Sequence, residues 1–285
     1  MIIWLASYPK SGNTWVRAFV TSLLYQSTGN NVLENMDNIH AYPLTENFYN
    51  LLNNFNDFKT IAKNWEISQD ILNLDKKVRI LKTHHSLCKI NNYSFTNYKN
   101  SLGVINIVRD PRNVITSLIH HYSLKNYNNA LKFILDENRF SGRLGKKEDF
   151  ERSTEFPTYI SDWKNHYNSW KSFKKKKLLI KYEDLINSPE KTFKKIASFL
   201  SELLNIKISD KKIEEAILKS SFNNLQKSEK KFGFREAPPE ENTNKKKKFF
   251  NLGPQNKWEK FLPNEIRNKI EKKFHKEMKE LGYLD

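Results

Sequence analysis

Met1-Ile2-Ile3-Trp4-Leu5-Ala6-Ser7-Tyr8-Pro9-Lys10-Ser11-Gly12-Asn13-Thr14-Trp15 opens the chain, and its reading decides the fold. Residues 1–7 are a short apolar run that stops at a Tyr-Pro-Lys-Ser-Gly-Asn turn, the pattern of a buried strand entering a loop. From Thr14 the positions Val16, Phe19, Val20, Leu23 and Leu24 recur at helical spacing, and Gly29 is expected to end the helix. Strand, loop and helix therefore follow one another. A helix N-terminus offers unpaired N–H groups and the positive end of a dipole, and Gly12 lets the backbone approach an anion closely. Lys10, Ser11 and Thr14 add donors. The segment has the character of a phosphate loop, yet it does not spell the G-x-x-x-x-G-K-S/T of the ATPases.

The same grammar returns further along. Val78–Thr83 reads as a strand ending at His84 and His85. Gly103–Val108 is another, followed by Arg109-Asp110-Pro111, where Pro111 suits a first helical turn and Val114, Ile115, Leu118 and Tyr122 supply a buried stripe. A fourth strand, Leu178–Lys181, precedes Tyr182-Glu183-Asp184-Leu185. Strands alternating with helices predict an α/β fold, a parallel sheet covered on both faces. Helices over about 189–204, 209–219 and 263–281 make the C-terminal third helical. The polar stretch from Gln226 to Lys257, with Pro238-Pro239 and Lys245–Lys248, is expected to be a lid loop or a linker within one domain spanning 1–285. In open parallel sheets ligands bind beyond the carboxyl ends of the strands, and each candidate residue lies just past such an end.

Composition narrows the functions. Forty-nine Lys plus Arg against 32 Asp plus Glu give a net charge of +17, which suits an anionic ligand. The basic residues are dispersed and no nucleic-acid module is recognisable, so no nucleic-acid partner is expected. A P-loop kinase is disfavoured by a lysine placed before the glycine rather than after it. One cysteine, Cys88, allows no intramolecular disulfide, and no stretch approaches the roughly 20 apolar residues of a membrane span. A soluble, cytoplasmic protein is expected, with no membrane partner; a homodimer is left open. Phe48, Tyr49, Phe55 and Phe58 either line an aromatic pocket or pack, and packing is favoured.

Taken together, the motifs resemble those of the sulfotransferases that use 3′-phosphoadenosine-5′-phosphosulfate (PAPS). Lys10–Trp15 resembles the 5′-phosphosulfate loop. Lys82-Thr83-His84 is similar to the family's Lys-Thr-His strand end, which favours a histidine base over a glutamate. The stretch from Ile107 to Ser117, with Arg109 and Ser117 eight apart, resembles the 3′-phosphate motif, and Leu179–Leu185 its Tyr-Glu-Asp-Leu.

The resemblance implies a P-loop-NTPase-like three-layer fold and transfer of a sulfuryl group to an alcohol, phenol or amine of a small-molecule acceptor, with adenosine 3′,5′-bisphosphate (PAP) as product. It implies roles residue by residue. Lys10, Ser11, Gly12, Asn13 and Thr14 would hold the 5′-phosphosulfate, with Lys10 and Lys82 steadying the charge that develops. Trp15 would face the adenine, Arg109 and Ser117 the 3′-phosphate, and Tyr182, Ser220 and Phe222 the nucleoside. Phe249 would close over the purine, with Leu252 and Gly253 wrapping the 3′-phosphate and His84 as general base. No metal is expected, and Asp110 reads as a turn residue; His85 is left as a residue supporting the site from behind or acceptor-facing, and His120 and His121 as surface or acceptor-pocket residues. The sequence departs from the family at Asn251-Leu252, where Arg-Lys is usual, and at Asn256-Lys257-Trp258, where Gly-Asp-Trp is usual. Lys245–Lys248 or Arg112 are the candidates to compensate.

Overall fold

The computed structural model describes residues 1–25, 31–150, 156–240, 243 and 245–285. Four strands, β1 (Ile2–Ser7), β2 (Arg79–Thr83), β3 (Ser101–Val108) and β4 (Lys176–Lys181), form a sheet in the order β2-β1-β3-β4. β1 runs parallel to both neighbours, with Ala6 opposite Thr83 on one side and Ser7 opposite Ile107 on the other. All six residues of β1 are buried. That is why the segment is apolar from Ile2 to Ala6 rather than alternating: a parallel strand covered on both faces has no wet side.

The helices of six residues or more are α1 (Asn13–Leu24), α2 (Phe58–Lys63), α3 (Trp65–Leu72), α4 (Pro111–Tyr122), α5 (Tyr127–Leu135), α6 (Trp163–Lys171), α7 (Tyr182–Asn187), α8 (Pro189–Leu204), α9 (Asp210–Lys219), α10 (Phe222–Phe232), α11 (Asn264–Lys273) and α12 (His275–Glu280). The result is the α/β architecture expected, a central parallel sheet flanked by helices. Among the described residues no helix is long and apolar enough to cross a membrane.

The chain divides into two compact units. One holds 1–8, 39–107 and 137–179; the other holds 9–38, 108–136 and 180–285. The first is built on aromatic rings. Phe48 stacks on Phe156 with centroids 4.6 Å apart, and Phe55 meets Phe156 edge-on at 4.8 Å. Phe48 and Phe55 are wholly buried, so they pack rather than line a pocket. Each ring removed from water contributes about 1.5–3 kcal/mol. Two polar groups carried inward are paired: Trp4 Nε1 donates to Ser101 Oγ at 2.8 Å, and the Tyr42 hydroxyl donates to the Trp65 carbonyl at 3.0 Å. In the second unit α1 packs on α8 and α9, with Phe19 against Phe193 at 4.3 Å.

Three expectations need correction. α1 ends at Leu24, where Tyr25 N–H caps the Thr21 carbonyl, and Gly29 lies outside the described residues. The segment from Gln226 is helical as far as Phe232: α10 turns Leu225 and Ser228 inward while Lys227, Lys230 and Lys231 face outward, so a polar composition conceals an amphipathic helix. The last helix is broken at Phe274, which is buried with φ −112° and separates α11 from α12.

Candidate active site

The loop between β1 and α1 carries two left-handed residues, Lys10 at φ 65° and Gly12 at φ 102°. Gly12 is required twice over. Its φ disfavours any side chain, and a Cβ there would sit 2.5 Å from Cδ2 of Tyr182. α1 starts immediately after it, with the Gly12 carbonyl accepting from Trp15 and Val16 N–H at 3.0 and 3.2 Å. The loop's donors therefore stand at the positive end of a twelve-residue helix. The Ser11 hydroxyl and Trp15 Nε1 are buried and no described residue pairs them. Buried donors of this kind are ordinarily satisfied, so both fit a bound anion or nucleotide.

Arg109, at the end of β3, ties this loop to α4. Its Nη1 donates to the Lys10 carbonyl and to Ser117 Oγ, each at 3.1 Å, while its guanidinium lies 4.0 Å over the Tyr182 ring. Asp110 is the N-cap of α4, accepting from Arg112 N–H at 2.8 Å, and Pro111 occupies the first turn as its fixed φ favours. About one helical turn thus separates the cap from Asn113, and about two turns separate it from Thr116 and Ser117. Asn256 reaches all three: Nδ2 donates to Ser117 Oγ at 2.9 Å and to the Asn113 carbonyl at 3.1 Å, and Oδ1 accepts from the Thr116 hydroxyl at 2.7 Å. Trp258 N–H donates to Asn113 Oδ1 at 2.8 Å. Asn256 and Asn113 were not singled out by sequence; the only signal was the altered Asn256-Lys257-Trp258.

Arg112 is committed elsewhere. Its guanidinium pairs with Asp110 and Glu271, each at 2.7 Å, donates to the Tyr283 carbonyl at 2.7 Å and stacks on Trp258 at 4.1 Å. These partners make it a strut between α4, Glu271 and Tyr283. Behind it, Glu183 accepts from Asp110 N–H at 3.1 Å and from the Tyr283 hydroxyl at 2.9 Å. Burial pushes the carboxyl of Glu183 above its usual range and holds the Tyr283 phenol well above its own.

Trp15 packs edge-on against Tyr182 and Phe193 at 5.8 and 5.9 Å, so its ring serves the core as well as the loop. Phe249 lies under the Lys10 ammonium, 4.2 Å from Nζ to the ring centroid. Its N–H and that of Phe250 both donate to the Glu229 carboxylate, at 2.6 and 3.0 Å, which fastens the segment to α10. Phe222 lies against Gly253, where a Cβ would fall 2.2 Å from the ring. Leu252 is exposed, and Ser220 is buried with its hydroxyl donating to the Ala216 carbonyl at 2.8 Å, closing α9. Of the lysine run, Lys246 donates to the Arg235 carbonyl at 2.7 Å and Lys247 to Ser123 Oγ at 2.6 Å; these two pin the segment down. His120 donates to the Lys248 carbonyl at 2.8 Å, and His121 meets Phe249 edge-on.

The first unit holds His84 and Lys82. Lys82, on β2, pairs with Leu5 and is bridged on its other side by Ala41. His84 Nδ1 lies 2.8 Å from the Ser7 carbonyl oxygen and 3.3 Å from Ser7 Oγ. His85 is different in kind. It is fully buried, stacks on Phe95 at 4.1 Å, donates from Nδ1 to the Ser86 carbonyl at 2.7 Å, and burial lowers its pKa to about 3. It is a neutral core residue, not acceptor-facing. His166, also held near 3 by burial and then by the charge of His84, makes a hydrogen bond to the His84 backbone. Burial pushes the Cys88 thiol up to about 12.

A sequence profile of the sulfotransferase domain matches residues 2–282. Among individual proteins, the chain is 24% identical to the flavonol 3-sulfotransferase of Flaveria bidentis over 95% of its own length and 79% of the relative's. It is 25% identical to sulfotransferase 1B1 of Canis lupus familiaris, over 96% and 82% of the two chains. Its fold is that of mouse sulfotransferase SULT7A1, solved with PAP, at TM-score 0.57 and 18% identity over 97% and 84% of the chains. Retinol dehydratase, solved with androsterone and PAP, aligns with TM-score 0.58 and 17% identity over 98% and 80%. With nearly its whole length matched by that profile, the chain belongs to the sulfotransferase family.

Proposed function

We propose that this sulfotransferase uses PAPS as donor and passes its sulfuryl group to a hydroxyl or amine of a small-molecule acceptor by in-line displacement, with His84 as general base. The observation that carries the reading is the double donation from Arg109 Nη1, which joins the Lys10 carbonyl of the anion loop to Ser117 of the second phosphate motif. A donor with phosphate at both its 5′ and 3′ positions suits such a pair of linked anion sites. When bound, PAPS supplies an activated sulfuryl group on a phosphate leaving group.

The residues divide the work. Lys10–Thr14 hold the 5′ end, with fixed backbone donors at the N-terminus of α1, and the Lys10 ammonium stabilises developing charge. Trp15, Tyr182 and Phe249 offer rings to the nucleoside, with Ser220 and Phe222 behind them and Leu252 and Gly253 at the turn. Arg109 and Ser117 hold the 3′-phosphate. In the first unit, Lys82 adds positive charge and His84 takes the acceptor's proton. A carbonyl only accepts, so in neutral His84 the proton sits on Nδ1 facing Ser7 and Nε2 keeps its lone pair. The segment from Gly233 to Lys257 acts as the lid, fastened through Glu229.

Incubation with 35S-labelled PAPS and a panel of alcohols, phenols and amines tests the reaction, and calorimetry with PAP tests the site. Transfer of label with tight PAP binding is expected. Absence of PAP binding would overturn the reading.

A further inference from the structure

The donor site contains a hydroxyl whose proton is aimed by a neighbour that neither the family likeness nor the motifs assign. Ser117 Oγ receives two N–H donors, Arg109 Nη1 at 3.1 Å and Asn256 Nδ2 at 2.9 Å. A hydroxyl has two lone pairs and one proton. With both lone pairs occupied, the one hydrogen-bonding capacity left to the hydroxyl is its proton, and Ser117 is half-buried rather than enclosed.

The orientation of the Asn256 amide follows from its surroundings. The Asn113 carbonyl, 3.1 Å away, can only accept, so it faces Nδ2; Oδ1 then meets the Thr116 hydroxyl at 2.7 Å. Asn256 is 7% exposed, and both its amide N–H groups and its Oδ1 are engaged. Three of the charged candidates for support are engaged elsewhere: Arg112 on Asp110, Glu271 and Tyr283, Lys246 on the Arg235 carbonyl, and Lys247 on Ser123. Asn251 and Leu252 bring no charge to the same turn.

We propose that Asn256 is a positioning residue of the donor site: by filling a lone pair of Ser117 it presents the serine proton to the 3′-phosphate of the bound nucleotide. This rests on the nucleotide reading above. The contribution is expected to be selective for the 3′-phosphate, the group that the Ser117 proton is proposed to meet.

The test is calorimetry on the full chain with two nucleotides, PAP and adenosine 5′-monophosphate, which differ by the 3′-phosphate. Asn256→Ala is expected to weaken PAP about ten-fold, the scale of one hydrogen bond to a charged group, and to change adenosine 5′-monophosphate less than about two-fold. Ser117→Ala should weaken PAP similarly, and the double variant should lose little more than either single one. In turnover, KM for PAPS should rise with kcat held. Thr116→Val, which releases the amide while keeping side-chain volume, should give a smaller loss of the same selectivity, and carries the test if the alanine variant does not fold. Equal losses for both nucleotides, or additive losses in the double variant, would overturn the proposal. Failure of the wild-type chain to bind either nucleotide would instead strike the donor reading on which it stands.

Discussion

His84 Nδ1 and the carbonyl oxygen of Ser7 lie 2.8 Å apart, joining the residue after β2 to the last residue of β1. The two strands are parallel and in register, Ala6 opposite Thr83, so the contact is a consequence of strand pairing rather than of a loop's chance conformation. In neutral His84 this contact favours the tautomer with the proton on Nδ1, the arrangement that the proposed role as base would use.

His84→Ala is therefore expected to lower kcat by about 10²–10⁴-fold, the usual range for a positioned base, with PAP affinity nearly unchanged. Stopped assays with labelled donor, alongside calorimetry with PAP, check the two halves. Retained turnover would remove His84 from the proposed mechanism.

Gly12→Ala tests the anion loop. The new methyl meets the Tyr182 ring at 2.5 Å and is forced into φ 102°. Together these are expected to cost about 1–3 kcal/mol, read by denaturant unfolding, and to weaken PAP binding in parallel. Adding Tyr182→Ala relieves the clash but not the backbone strain, so loop stability should return only in part.

Glu229 fixes Phe249 and Phe250 through two backbone N–H groups, at 2.6 and 3.0 Å. Glu229→Ala leaves both donors without their carboxylate and should destabilise the segment by about 1.5–3 kcal/mol, the value of hydrogen bonds to a charged group. Faster amide exchange at Phe249 and Phe250, with weaker PAP binding, is the expected result. Unchanged exchange there would show that the segment is held by its rings alone.

What the sequence disclosed depended on range. The strands were legible because burial on both faces makes β1 apolar from Ile2 to Ala6, and α4 because Asp110-Pro111 is a local start signal. Gly12 and Arg109 stood out for the same reason, as residues just past strand ends. The helices α3 and α6 were missed: Trp65, Ser68 and Gln69 bury a face of mixed polarity, and α6 buries His166 between Trp163, Tyr167 and Trp170, so neither shows a clean apolar stripe. Nor could local pattern show that Asn256 reaches Ser117 across 139 residues of chain, or that Arg112 is spent on Glu271 and Tyr283. Those are facts of tertiary placement, and no spacing rule encodes them.

The buried histidines of the first unit give stability a pH dependence of definite sign. Burial holds both His85 and His166 at about 3, against an ordinary value of 6.5. Between those values the unfolded chain binds protons that the folded one does not, so stability rises with pH in that window, is complete above about 6.5 and is lost as pH falls toward 3. Each histidine contributes a slope of about 1.4 kcal/mol per pH unit below its unfolded value, roughly 3 kcal/mol per unit for the pair. Asp110 and Glu183, raised by burial, act in the opposite sense near their own range, so the comparison must be between variants. His85→Phe keeps a ring to stack on Phe95 and removes one proton site. Urea unfolding at pH 7, 6 and 5 should show a slope smaller than that of the wild-type chain by up to about 1.4 kcal/mol per pH unit, whatever its absolute stability. An unchanged slope would mean that His85 is not the group whose protonation opens the first unit.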